Sequence, residues 1–197
     1  MSDPYISDEE TYVTKRNGSR EPISFDKITT RLRKLKIDVE ASQTKFTGKL
    51  FKLHVNVTDI SKLVVNGIYP NIQTSELDEY AADVCYVIKK HPHYAYFGGC
   101  ILISNIESNI AVSSGSNTPF SVKEYAEKAY NHIHERTLQH SPLISKKLYD
   151  IFMEHHELID SRMDVSRNLL YDYFSMRTQI DGKYLLREWK KAVRKKI

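Results

Sequence analysis

Cysteine, glycine and tryptophan are scarce in this 197-residue chain, with two Cys, seven Gly and one Trp. Cys85 and Cys100 fit no CxxC or zinc spacing and are too few for a disulfide framework, so a reducing, intracellular compartment, the cytoplasm, is expected. The few glycines form neither a P-loop nor a GxGxxG fingerprint, which removes the glycine-cradled phosphate sites. No apolar run approaches the roughly 20 residues that a bilayer crossing needs. The opening MSDPYISDEET is polar and acidic, unlike a secretory signal, so a soluble protein without a membrane partner is expected. His132 and His134 are two apart, and His155 and His156 are adjacent. Neither pair has the i, i+4 spacing that puts two imidazoles on one helical face, so no metal site is expected. No nucleophile, base and acid stand in a catalytic order.

Other features are abundant. Hydrophobic residues make up 41% of the chain and thirteen are Tyr, enough to build a core with hydroxyls at its margin. The net charge of +4 is uneven, because the last fifteen residues, KYLLREWKKAVRKKI, hold a local +6. The remainder is slightly acidic and offers no broad stripe for nucleic acid, which is not expected as a partner. The tail reads as a last amphipathic helix, with Leu186, Trp189, Val193 and Ile197 on one stripe and its cations in water, the alternative being a basic segment that holds an anionic membrane surface or nucleic acid.

Along the chain, Tyr12–Thr14 and Ile23–Phe25 are β-like pieces around RNGSREP. Asn17-Gly18 marks a hairpin because both residues tolerate positive φ. Pro22 lacks a ladder donor, so the second strand is an edge or begins late. Phe25, Ile28, Leu32 and Leu35 then fall on one helical face, and the polar run Lys36 to Lys49 reads as a loop or insertion. A second helix is expected from Thr58, with Ile60, Leu63 and Val64 inward and Gly67 near its end. A third begins at TSELDEYAADVCYVIKKHP, capped by Thr74 or Ser75 and stopped or kinked by Pro92. HYAYFGGCILISNI reads as a fourth, mostly buried helix in which Gly98-Gly99 permits close approach. AVSSGSNTPF, 111–120, reads as a linker. Beyond it, Ser121 to Glu124 forms a capping box for a helix burying Val122, Tyr125, Ala126, Ala129, Tyr130 and Ile133. A further helix buries Leu148, Ile151, Phe152 and Leu158, and Asp181-Gly182 marks a turn. The fold class is mainly α with a small N-terminal β-hairpin.

The stretch YVTKRNGSREPISFDKITTRL crowds charges of both signs around the hairpin. Mixed charges at an Asn-Gly turn usually make a solvated surface, yet they also suit a nucleotide. Lys15 and Arg16 are neighbours on a strand, so their side chains leave on opposite faces. Lys27, in the first turn of the following helix, can close over the same ligand, and Glu21 can accept from an adenine amino group. Thr74 opens a helix whose free N–H groups suit an anion or hydroxyl, and Asp78 one turn later can bind ribose hydroxyls. Both are equally adequate as cap and dipole partners.

VTKRNGSREPISFDKITTRL resembles the start of the ATP-cone, the regulatory nucleotide-binding domain of ribonucleotide reductases. GIYPNIQTSELDEYAAD and KKHPHYAYFGGCILISNI resemble its later helices in the large subunits of the eukaryotic and viral type. HSPLISKKLYDIF and YDYFSMRTQIDGKYLL resemble the N-terminal part of that subunit's catalytic domain. The resemblance runs from about residue 12 to 186, with an apparent insertion near 36–55. It implies an ATP-cone over 1–110 and a helical segment over 118–197 from which the catalytic barrel and its redox cysteines are absent. It implies Lys15 and Arg16 at the phosphates, Glu21, Pro22, Ile23, Ser24, Phe25, Asp26 and Lys27 around base and sugar, and Thr74 and Asp78 at the ligand. ATP and dATP would be the effectors, with Mg2+, in deoxyribonucleotide synthesis. Partners would be a reductase small subunit, the remaining large-subunit chain or further copies of this chain. After ISN the family places a basic side chain; here Glu107 and Ser108 stand there, which implies weakened phosphate binding. A truncated chain, a stand-alone regulator without catalysis, or a degenerate helical interaction module are the other readings.

Overall fold

A computed structural model describes residues 12–114 and 121–181. The described residues are mainly helical, with a small sheet near the N-terminus. They fall into two compact units. One joins the residues up to Ser114 with those from Ser166 onward, and the other holds the residues between, up to Val165.

The sheet of the first unit is built on β1 (Tyr12–Thr14), with β2 (Arg20–Pro22) antiparallel on one side and β3 (Ile72–Gln73) parallel on the other. Val13 is opposite Glu21 and Ile72, and both Val13 and Ile72 are buried. The second strand was expected at Ile23–Phe25. It lies three residues earlier because the loop from Lys15 to Ser19 is tight. Gly18 N–H donates to Lys15 O, Lys15 N–H donates to Ser19 O, and only Gly18 takes a positive φ, 82°. Asn17 contributes its side chain instead, accepting from Ser19 N–H. Pro22 ends β2 on the sheet's edge, where its missing donor breaks no ladder.

α1 (Phe25–Thr47) follows, with Ser24 as N-cap accepting from Lys27 N–H. It absorbs residues 36–47 of the segment expected to be a loop at 36–49. Val39 and Gln43 continue the buried stripe of Ile28 and Leu32, and Glu40 accepts from the backbone N–H of Leu53. The helix stops at Gly48, whose φ of 68° is left-handed and whose N–H donates to Thr44 O. α2 (Val57–Asn66) buries Val57, Ile60, Ser61 and Val64. Leu63, expected inward, is exposed; Ser61 lies inside instead, its hydroxyl donating to Val57 O.

α3 (Thr74–Ile88) is capped at Gln73 rather than Thr74 or Ser75. Gln73 is held extended by β3, and its N–H donates to the Glu76 carboxylate. Pro92 starts α4 (Pro92–Ser114), a position where its missing N–H costs nothing. Phe97, Cys100, Ile101 and Leu102 of α4 sit at the centre of the core. Residues 111–114 of the expected linker continue α4, and 115–120 lie outside the described residues. A short 3-10 turn, Val165–Leu170, leads to α7 (Tyr173–Asp181), which packs on α3 and α4 within this unit. Asp83 accepts from Tyr173 Oη at 2.7 Å and from Arg177 Nη2 at 2.6 Å, and the rings of Tyr86 and Tyr173 stack at 4.5 Å.

In the second unit α5 (Val122–Tyr130) packs on α6 (Lys146–Arg162). Val122, Ala126 and Ala129 are buried as expected, but Tyr125 and Ile133 are exposed and Tyr130 stacks half-buried on Tyr149. Ser121 is the N-cap of α5 without a side-chain bond, and Val122 N–H donates instead to Asp160. Leu148, Ile151 and Leu158, expected inward, are exposed, and Phe152 is half-buried. Within this unit a nine-residue helix is too short to cover a seventeen-residue one. Gly182 and the basic tail lie outside the described residues, as does the acidic opening.

Where the segment before α2 meets the start of α4, three imidazoles gather. His54 and His93 stack at 5.3 Å, and His91 meets His93 edge-on at 4.3 Å. His93 Nδ1 accepts from the His54 backbone N–H, and His91 Nδ1 accepts from the His93 backbone N–H. Burial first, then the neighbouring His91 and His54, push the pKa of His93 below its ordinary value. The folded chain therefore holds fewer protons here than the unfolded one. This contribution to stability is complete above an ordinary histidine pKa of about 6.5 and is lost as pH falls through the lowered value. The melting temperature is expected to drop on acidification below about pH 6.5, and His93→Gln to flatten that drop. An unchanged acid profile in the variant would contradict the assignment.

Candidate functional site

The charges around the hairpin are paired into two nodes. At the first, the Glu21 carboxylate on β2 is met by Lys15 Nζ at 2.7 Å and Lys27 Nζ at 2.9 Å. The two ammonium groups hold its pKa below the ordinary carboxylate value. At the second, Asp78 of α3, with a side chain only 6% exposed, is met by two guanidinium groups. Arg31 of α1 binds it in a fork, Nε at 2.7 Å and Nη2 at 2.6 Å, and Arg16 Nη2 lies at 3.0 Å. Arg16 also donates from Nε to Asn109 at 2.7 Å and from Nη2 to Asn105 at 2.5 Å. Asn105 in turn donates to Ser75 O, in the first turn of α3.

The backbone explains why these nodes are neighbours. Lys15 and Arg16 are consecutive in the loop that leaves β1, and their side chains diverge there, one to Glu21 and the other to Asp78. Lys27 and Arg31 are i, i+4 on α1 and therefore share a face. Two cations on the strand end and two on the helix are joined by one carboxylate at each end. Four positive side chains surround two negative ones, so the border between β1 and α1 carries a surplus of two positive charges. A surplus held on paired, oriented side chains suits an anion with several oxygen atoms.

The remaining expected residues have definite places. Pro22 closes β2, Ile23 packs against the core, and Ser24 caps α1. Phe25 and Asp26 begin α1, the first half-buried and the second exposed. Thr74 is the first residue of α3, one turn before Asp78 on the same face. Lys15, Glu21 and Lys27 are thus joined by direct bonds in one node and Arg16 and Asp78 in the other, whereas Pro22 to Asp26 form the border between β2 and α1. Arg31, Asn105 and Asn109 were missed. Their signal lay in spacing: Arg31 is one helical turn from Lys27, and Asn105 and Asn109 are one turn apart on α4.

Glu107 and Ser108 do not face this cluster. The Glu107 carboxylate accepts from Asn168 at 3.4 Å, and the Ser108 hydroxyl donates to Ser104 O. The α4 positions that do face Arg16 carry neutral amides, so no carboxylate from α4 joins the two nodes.

The comparisons agree with this architecture. The ATP cone domain family matches residues 11–109. The large subunit of ribonucleoside-diphosphate reductase from Dictyostelium discoideum is 34% identical over 177 residues, covering 89% of this chain and 18% of that protein. Large chain 2 of the Saccharomyces cerevisiae enzyme is 30% identical, covering 89% and 18%. The Monkeypox virus large subunit is 31% identical, covering 89% and 20%. This chain spans about a fifth of the length of the curated relatives it matches. It belongs to the ATP-cone domain family, and over most of its length it is similar to the N-terminal region of eukaryotic and viral ribonucleoside-diphosphate reductase large subunits.

Proposed function

We propose that this chain is the regulatory N-terminal portion of a ribonucleoside-diphosphate reductase large subunit, and that it binds ATP and dATP as effectors at the border of β1 and α1. The observation that carries the reading is the double node of four cations and two carboxylates described above. Phosphates meet the surplus positive charge, and Glu21, with Thr74 and Asp78 on α3, offers partners for base and sugar. The surroundings also fit what a triphosphate asks of magnesium. Both carboxylates of the site are already paired with cations, and no group of three metal-binding side chains occurs among the described residues. Mg2+ would arrive on the phosphate oxygens, as it does at most nucleotide sites.

Reduction of ribonucleotides would be the work of further protein, with a small subunit and the rest of a large subunit as partners and with assembly as the regulated step. Cys85 and Cys100 are free and buried, and burial pushes both thiols up, Cys100 to about 12. Thiols so protonated are poor nucleophiles and redox groups. Their part is to fill the core. The reading of an empty, degenerate cone drew on Glu107 and Ser108, and both face away from the cluster.

Calorimetric titration of the chain with Mg2+-ATP and Mg2+-dATP tests the proposal. Saturable 1:1 heat is expected with either nucleotide and little with Mg2+-CTP. Equal heats for ATP and CTP, or none for any, would overturn it.

A further inference from the structure

We infer that Arg31 is a phosphate-binding residue of the nucleotide site, supplying from α1 the cationic contact that α4 lacks. The inference rests on the functional reading above and assigns one more residue to the same site.

Three observations support it. First, α4 turns only Asn105 and Asn109 toward the node, so positive charge for a polyphosphate must come from β1 and α1. Second, Arg31 continues the face that carries Lys27, and its guanidinium lies in the same node as that of Arg16. Third, Asp78 is shared between two guanidinium groups, so one unit of positive charge at that node has no counter-charge. It is carried toward solvent by Arg31, whose side chain is 41% exposed, rather than by Arg16, which is 19% exposed and holds three partners. The fork to Asp78 uses Nε and Nη2 of Arg31, and Nη1 takes no bond among the described residues. Arg31 is thus aimed by one carboxylate while a donor and a net charge stay available. A guanidinium held in this way meets phosphate oxygens with its geometry already set.

A purely structural Arg31 would only hold Asp78, and the two roles separate in a phosphate series. In the wild-type chain, affinity is expected to rise from AMP to ADP to ATP, each measured with Mg2+ by calorimetry. In Arg31→Gln the rise should flatten, with ATP weakened about tenfold or more and AMP changed by less than about threefold. Arg31→Lys, which keeps the charge but not the fork, should recover part of the ATP affinity. Circular dichroism and thermal melting of each variant establish that it is folded. An equal loss for all three nucleotides would show that Arg31 only positions Asp78, and would overturn the inference while leaving the site standing. Unchanged ATP affinity in folded Arg31→Gln would overturn it as well. Failure of the wild-type chain to bind any of the three would remove the functional reading itself.

Discussion

Gly99→Ala is expected to lower the unfolding free energy by about 3 kcal/mol, the upper part of the usual overpacking range. The reason lies in the crossing of α4 by the segment that enters α7. A Cβ on Gly99 would sit 2.5 Å from the Asp172 carbonyl carbon, 2.6 Å from Tyr171 O and 2.8 Å from Tyr173 N. All three are backbone atoms, so no side-chain rotation relieves the clash. Either α4 and the 171–173 segment separate, or α7 leaves its place. The second course forfeits the bonds of Tyr173 and Arg177 to Asp83 and the burial of Met176. Urea unfolding measures the loss, and limited proteolysis between residues 165 and 181 shows where it falls. Gly98→Ala is the control: its Cβ would meet Ala82 O at 3.0 Å and then only side-chain atoms at 3.4 Å, so a smaller loss is expected. Equal stability of Gly99→Ala and the wild type would mean that α7 is not docked as described.

Asp78→Asn is expected to destabilise the chain by about 3 kcal/mol and to abolish measurable nucleotide binding. Asp78 is 4% exposed and neutralises one of two adjacent guanidinium groups. Asparagine keeps the volume but carries one oxygen and no charge, so Arg16 and Arg31 would repel each other with their fork broken. Removing the shared carboxylate costs more than the cluster contributes as a whole, because Arg16, 19% exposed, stays largely desolvated without its counter-charge. The double variant Asp78→Asn, Arg31→Met should therefore be more stable than Asp78→Asn alone. A loss in the double variant equal to the sum of the two single losses would argue against a coupled node. Glu21→Gln, at a node where Lys15 and Lys27 are 43% and 62% exposed, should leave the urea midpoint nearly unchanged.

Much of this site was legible in the sequence, and the illegible part has physical reasons. The Asn-Gly turn, the Phe25, Ile28 and Leu32 stripe and the charged residues of KRNGSREPISFDK pointed to the hairpin, α1 and four of the six charged residues at the nodes, Lys15, Arg16, Glu21 and Lys27. Asp78 was visible as an acid one turn into α3. β3 was not, because two residues have no periodicity and Ile72 is recruited only by pairing with Val13. The second half of α1 was hidden because Val39 and Gln43 are its buried contacts there, and glutamine does not read as core. Arg31 was passed over because a cation on the polar face of an amphipathic helix ordinarily faces water, and only the tertiary arrangement brings Asp78 to it. The second unit read worst. Apolar spacing placed Leu148, Ile151 and Leu158 on a buried face, yet spacing says only which residues share a face, not whether a partner is long enough to cover it.

The central claim is that the phosphates of an adenine nucleotide lie between the end of β1 and the face of α1. A crystal structure of this chain grown with Mg2+-ATP tests it most directly. Phosphate density is expected within hydrogen-bond reach of Lys15 or Arg16 on one side and of Lys27 or Arg31 on the other, with the base near Glu21 to Lys27. Nucleotide bound elsewhere on the chain, with both nodes still closed upon themselves, would contradict it.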